Sequence, residues 1–137
     1  MVVKHYHFSL PTYPRGYHLV TDRILNEIDL LPENGIFHLF IKHTSAAICI
    51  NENADPSVRT DFESIFNMVV PENLPFLQHD LEGPDDMPAH IKTAMIGTTI
   101  TVPIVQGRLD LGTWQGIYLC EFRNSGGSRK FTASIYS

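Results

Sequence analysis

From Thr98 to the C-terminus the chain alternates strand-like runs with glycine-marked turns, and this pattern limits its fold more than any other feature. Thr98 to Val105 alternates hydroxyl and aliphatic residues, Gln106 to Gly112 turns, and Gln115 to Arg123 alternates again. Asn124 to Ser128, with two glycines, turns a second time, and Arg129 to Tyr136 closes the series. Successive side chains of a strand point to opposite faces, so Ile117, Leu119, Glu121 and Arg123 are expected on one side. Turns this short join antiparallel neighbours. Pro103, which cannot donate to a strand ladder, predicts an edge or a bulge.

The first half adds strands and the helices that cover them. Residues 3–10 place Tyr6, Phe8 and Leu10 on one face and His5, His7 and Ser9 on the other, the signature of a half-buried strand near an edge. Pro11 to Gly16 breaks the chain. A helix capped by Thr21 or Asp22 is expected next, with Ile24, Leu25, Ile28 and Leu31 at helical spacing and Pro32 as its stop. Strands are expected from Ile36 to Lys42 and from Ala46 to Ile50. Asp55-Pro56 then pairs an acidic cap with a proline in the first turn, opening a helix with Val58, Phe62, Ile65, Phe66 and Val69 on one stripe. Pro88 suits the first turn of a third helix, which Gly97 ends. The expected class is α+β: a mostly antiparallel β-sandwich with about three helices, formed by one domain over residues 1–137.

Bulk properties exclude several roles. A net charge of −5 gives no basic face for a nucleic acid. No apolar run reaches membrane-span length and Met1 to His5 carries no signal-like core, so a cytoplasmic protein is expected. Cys49 and Cys120 lie within apolar strand runs and read as buried free thiols. Trp114 reads as a packing or interface residue.

Chemistry is expected along His79-Asp80-Leu81-Glu82-Gly83-Pro84-Asp85-Asp86-Met87-Pro88-Ala89-His90-Ile91-Lys92, where histidines and carboxylates lead into a helix start. Imidazole and carboxylate ligate divalent ions and serve as general acids and bases. The interval between His79 and His90 matches no compact ligand motif. Adding His43 gives three imidazoles and an open fourth position, the set a catalytic zinc ion needs. Thr44 and Ser45 follow His43. Asn51 and Glu52 end a strand and are expected at a cleft, since a half-buried glutamate is costly without a partner. Gly126-Gly127-Ser128-Arg129-Lys130, with Arg123 before it, offers backbone amides and cations to an anion.

His43-Thr44-Ser45-Ala46, Asn51 to Pro56, His79 to Gly83, Asp86 to Lys92, and Gly107 through Gly112-Thr113-Trp114-Gln115-Gly116 together resemble the YjbQ-like family, also called secondary thiamine-phosphate synthases. The likeness runs from about Gly16 to the C-terminus; Thr99 stands where the family usually shows serine. The resemblance implies a β-rich homotrimer with a polar pocket near a subunit interface. It also implies a weak transferase activity, joining hydroxymethylpyrimidine diphosphate to thiazole phosphate with release of pyrophosphate.

On that match, His43, His79 and His90 are expected to hold a divalent metal ion, zinc or magnesium. Glu52, Glu82, Asp86 and Glu121 would orient ligands or carry protons. Thr44, Ser45, Asn51, Lys92, Arg123 and Arg129 would bind the phosphate substrate. A non-catalytic metal- or anion-binding trimeric module and a metal-dependent phosphate-ester hydrolase are the competing expectations.

Overall fold

A computed structural model describes residues 1–137. Eight strands and three helices follow in the order β1 (Val3–Ser9), β2 (Gly16–Leu19), α1 (Thr21–Leu25), β3 (Asn34–Ile41), β4 (Ala46–Glu52), α2 (Pro56–Val69), α3 (Asp86–Ile96), β5 (Thr99–Val105), β6 (Arg108–Leu109), β7 (Gln115–Glu121) and β8 (Lys130–Tyr136). They form a five-stranded sheet, β1-β8-β3-β5-β6, and a three-stranded sheet, β2-β7-β4, with every pairing antiparallel. As expected, β1 lies at a sheet edge. Pro103 sits in β5, whose outer partner β6 is only two residues long.

Period-two alternation sorts the side chains into two cores. Phe37, Leu39 and Ile41 of β3 meet Ile48 of β4 and Ile117 and Leu119 of β7 between the sheets. The alternate residues Tyr118 and Cys120, with Tyr17 and Phe122, face outward and pack against Phe62 and Phe66 of α2 and Ala89 and Ile96 of α3. The smaller sheet is therefore covered on both faces, which explains the nearly continuous burial along β7. The Cys49 and Cys120 sulfurs lie 3.8 Å apart as free thiols.

Several expectations need correction. The first helix stops at Leu25, and its N-cap is Val20. Thr21 Oγ1 instead accepts the Ile117 N–H at 2.8 Å, so its hydroxyl ties α1 to β7. Ile24 and Ile28 are still buried, because the irregular turn after Leu25 keeps them against the sandwich. Asp55 does cap α2, accepting the Ser57 N–H at 2.9 Å. The apolar stripe of α2 is broader than its contact, however. Phe62 and Phe66 reach the sheet, whereas Ile65 and Val69 are each 53% exposed. Trp114 is 65% exposed and packs in neither core. No helix is long and apolar enough to cross a membrane.

Candidate metal centre

The start of α3 builds the site. Pro88 lies in its first turn, where a missing N–H costs nothing, and Asp86 and His90 stand one turn apart on the same face. His79 approaches from the preceding loop. Its Nε2 lies 2.7 Å from Asp86 Oδ2, and His90 Nε2 lies 3.3 Å from that same oxygen. One ligand atom from each of the three residues lies within 4.8 Å of the others. Metal–ligand bonds of about 2.0–2.1 Å imply tetrahedral edges of roughly 3.3–3.4 Å around zinc. The His90 spacing already matches, and His79, whose side chain is 55% exposed, has room to withdraw by the remaining fraction of an ångström. The donor set fits a zinc-like ion.

Neighbouring groups orient these ligands. His90 Nδ1–H donates to the Thr44 carbonyl at 2.8 Å, which leaves the Nε2 lone pair facing Asp86 and His79. Arg123 Nη1 donates to Asp86 Oδ1 at 2.7 Å, so Asp86 offers its other oxygen to the histidines. Arg123 Nε donates to Asp85 Oδ2 at 2.8 Å, and Nη2 donates to the Glu82 carbonyl at 2.8 Å. Burial pushes the Asp85 carboxyl up, but the Asn124 N–H and the Arg123 guanidinium outweigh it and hold the group below the usual carboxylate range. The hydrogen bond to Asp85 in turn raises Arg123.

His43 does not join this centre; the Asp86 carboxylate takes the third position. The strand end that carries His43 packs beside β8, where His43 Nε2 accepts the Lys130 N–H at 2.7 Å and Nδ1 lies 3.4 Å from Arg129 Nη1. Burial, then the positive charge of Arg129, pushes the His43 imidazole down from its ordinary value. His43 and His90 instead both line an open pocket of about 570 Å³, walled also by Thr44, Thr93 and Thr98. No carboxylate, lysine or arginine lines it. The Thr93 hydroxyl is buried on this wall without a hydrogen-bond partner.

The remaining expected site residues divide by location. Glu121, fully buried, receives Arg129 Nε at 2.7 Å and Nη2 at 2.6 Å, and Arg129 Nη2 also donates to the Ser45 carbonyl at 3.2 Å. Gly126 closes over this pair, leaving no space for a Cβ. The anion held by the glycine-rich turn is thus the protein's own Glu121, and the expectation of a substrate anion there is corrected. Arg123 likewise spends its guanidinium on Asp85, Asp86 and Glu82, not on a substrate. It lies beyond the end of β7 and turns toward α3, so it does not share a side with Glu121.

Lys92 points away from the centre, toward α2, where it donates to Asn67 Oδ1 at 3.0 Å; burial, then the charge of Arg15, pushes it down. Asn67 Oδ1 also accepts from Arg15, which is paired with Glu63 and Glu72, a network that no local pattern marked. Asn51 and Glu52 end β4 opposite Gly116 and Gln115, whereas Ala46 lies opposite Glu121. At ~3.3 Å per residue, Glu52 is roughly 20 Å along the strand from Ala46 and the histidines' end. Glu52 Oε2 accepts the Asp55 N–H at 3.3 Å, and its carbonyl accepts the Tyr118 hydroxyl. Glu82 is exposed, 3.8 Å from Arg123 Nη1. Asp85, which accepts from Arg123, and Asn124, whose N–H donates to Asp85 at 2.9 Å, are not distinguished by sequence; their signal lies only in the fold.

Residues 6–137 match the family model of the UPF0047 proteins, described as YjbQ-like. UPF0047 protein YjbQ of Salmonella typhimurium is 50% identical over 129 residues, covering 93% of each chain. UPF0047 protein YugU of Bacillus subtilis is 42% identical over 104 residues, covering 72% of this chain and 76% of that one. Among solved structures, a conserved hypothetical protein from Thermus thermophilus superposes with a TM-score of 0.81 at 29% identity, covering 93% of this chain and 96% of that one. An uncharacterized conserved protein from Clostridium acetobutylicum gives 0.79 at 34% identity, covering 94% and 98%.

Proposed function

This chain belongs to the YjbQ-like UPF0047 family, and from that premise we propose that it is a metal-assisted enzyme acting on a phosphorylated small molecule. The observation that carries this reading is the convergence of His79, Asp86 and His90 on one point. Two imidazoles and one carboxylate favour a zinc-type ion; magnesium prefers an all-oxygen shell. Such an ion, when bound, supplies Lewis-acid stabilisation of negative charge on a phosphoryl oxygen. The chain's own residues do the rest: Arg123 fixes Asp86, the Thr44 carbonyl fixes the His90 tautomer, and the uncharged pocket beside His90 receives the ligand's organic part. Glu82, an exposed carboxylate 3.8 Å from Arg123 Nη1, is the candidate proton carrier.

The reaction we assign is the thiamine-phosphate synthase type of transfer. The thiazole nitrogen attacks the methylene of hydroxymethylpyrimidine diphosphate, the carbon–oxygen bond breaks, and pyrophosphate leaves. A homotrimer is the accompanying assembly, consistent with the exposed Ile65, Val69 and Trp114. Hydrolysis of a phosphate ester is the second reading, favoured by the two-histidine, one-carboxylate set, which is also that of hydrolytic zinc sites.

Metal content and turnover test the proposal together. Purified protein should carry one zinc-type ion per chain, lost in His79→Ala and His90→Ala. Pyrophosphate should appear only when both substrates are present. Phosphate release without the thiazole partner would establish the hydrolase, and tight binding without turnover would leave a binding module. Unchanged metal content in both variants would remove the centre.

A further inference from the structure

Cys49 and Cys120 lie on adjacent strands, β4 and β7, 71 positions apart in the chain. The register sets Cys49 opposite Tyr118 and Cys120 opposite Ala47, so the two cysteines are diagonal neighbours on the smaller sheet. Both side chains point to the face covered by α2 and α3, and their sulfurs come within 3.8 Å. A hydrogen bond joins them, and burial decides its direction. Cys120 is fully buried, whereas Cys49 is half-buried on the edge strand β4. Negative charge is better solvated on Cys49, so the Cys120 S–H donates and the Cys49 sulfur accepts. That bond pulls the Cys49 thiol below its ordinary value against the opposing effect of burial, while the same bond and burial push Cys120 up. One sulfur is the more exposed and the more readily ionised; its neighbour is protonated and sheltered.

We propose that Cys49 and Cys120 form an oxidisable dithiol, a site of reversible disulfide formation by an oxidant of the peroxide class. The Cys49 thiolate attacks one peroxide oxygen; the O–O bond breaks, hydroxide leaves, and Cys49 is oxidised to a sulfenic acid. The Cys120 sulfur then attacks the Cys49 sulfur. The S–O bond breaks, the S–S bond forms, and the Cys120 proton leaves with the hydroxyl as water. Counting the proton lost when Cys49 ionises, two thiols and one hydrogen peroxide give one disulfide and two waters. The sulfurs close from 3.8 Å to about 2.05 Å in the process. Diagonal neighbours of an antiparallel ladder lie about 7–8 Å apart between Cα atoms, beyond the ~4.4–6.8 Å that a disulfide usually spans. Closure therefore draws β4 toward β7 and strains the ladder, and a strained bridge is readily reopened by thiol exchange.

Peroxide treatment of the purified full chain tests the pair. Both thiols should disappear together, the mass should fall by the two thiol hydrogens, and proteolysis without reductant should yield a linked Cys49–Cys120 peptide. Millimolar glutathione should restore both thiols. In Cys120→Ala, which lacks the resolving sulfur, Cys49 should accumulate as a sulfenic acid that dimedone labels. In Cys49→Ala, the sheltered Cys120 should react with peroxide about tenfold or more slowly than Cys49 does in Cys120→Ala.

Thiols that survive peroxide, a Cys49 sulfenic acid that persists in wild type, or a bridge between two chains would overturn the proposal. So would a bridge that glutathione leaves intact, or equal peroxide rates for the two single-cysteine variants. The wild-type measurements decide the matter even if a variant folds poorly.

Discussion

Two arginine forks lie within a few residues of each other in sequence and do opposite things. Arg129 places two nitrogens on both oxygens of Glu121, deep in the sandwich end, with Gly126 folded over the pair. Arg123 binds one oxygen of Asp86 and leaves the other between two imidazoles, at least one of them half exposed. The first carboxylate is satisfied and sealed; the second is held firmly and left incomplete. A buried ion pair closes on itself when both oxygens are matched, and becomes a ligand site when only one is.

The most severe way to break this contrast is Glu121→Ala, which strands the Arg129 charge in the interior. Urea unfolding should show a loss of about 3–5 kcal/mol, and a loss under ~1 kcal/mol would mean the fork is not sealed. At the open fork, zinc at a hundredfold excess over its Kd should stabilise wild type by about 2.7 kcal/mol. His90→Ala should abolish that increment while leaving the zinc-free protein close to wild type. A Gly126→Ala substitution, crowding Glu121 and Arg129, should cost about 1–3 kcal/mol with zinc binding unaffected.

The smallest effect is on pH dependence, and the two regions contribute in different windows. Asp85, depressed in the folded state, adds stability above its unfolded value near ~3.9, lost as pH falls through the lower folded value. His43, also depressed, favours the fold fully above its unfolded value near ~6.5 and loses that contribution as pH drops through its folded value. His43→Gln should therefore flatten the stability profile just below neutrality, and Asp85→Asn should flatten it in acid. Identical profiles for wild type and both variants would deny that either group is perturbed.

Much of the architecture is legible in the sequence because it rests on local rules. Period-two alternation in β5, β7 and β8, the Asp55-Pro56 helix start and the turn glycines all act over a few residues. The short α1 departs from its helical spacing because Ile24 and Ile28 are apolar for the sake of the sandwich, not of a continued helix. The stretch from His79 to His90 is recognisable as a candidate ligand region from residue type alone. Which carboxylate completes it is not, because Asp80, Glu82, Asp85 and Asp86 are chemically alike and only Asp86 falls one turn before His90 and within reach of Arg123. His43 and Glu52 elude local reading for a related reason: His43 precedes β4 and Glu52 ends it, and the strand carries its two ends roughly 20 Å apart.

Residue order alone determined the class of fold, the Asp55-Pro56 start of α2, the stretch whose histidines and carboxylate come together and the family, since these depend on spacing and side-chain type. Tertiary structure alone decided that Asp86 replaces His43 at the centre, that Glu121 fills the glycine-rich turn, and that Lys92 faces away. Those outcomes depend on which of several similar charges come within about 3 Å of one another. Strand register and helix docking bring together residues that lie far apart in the chain, and only these set that distance.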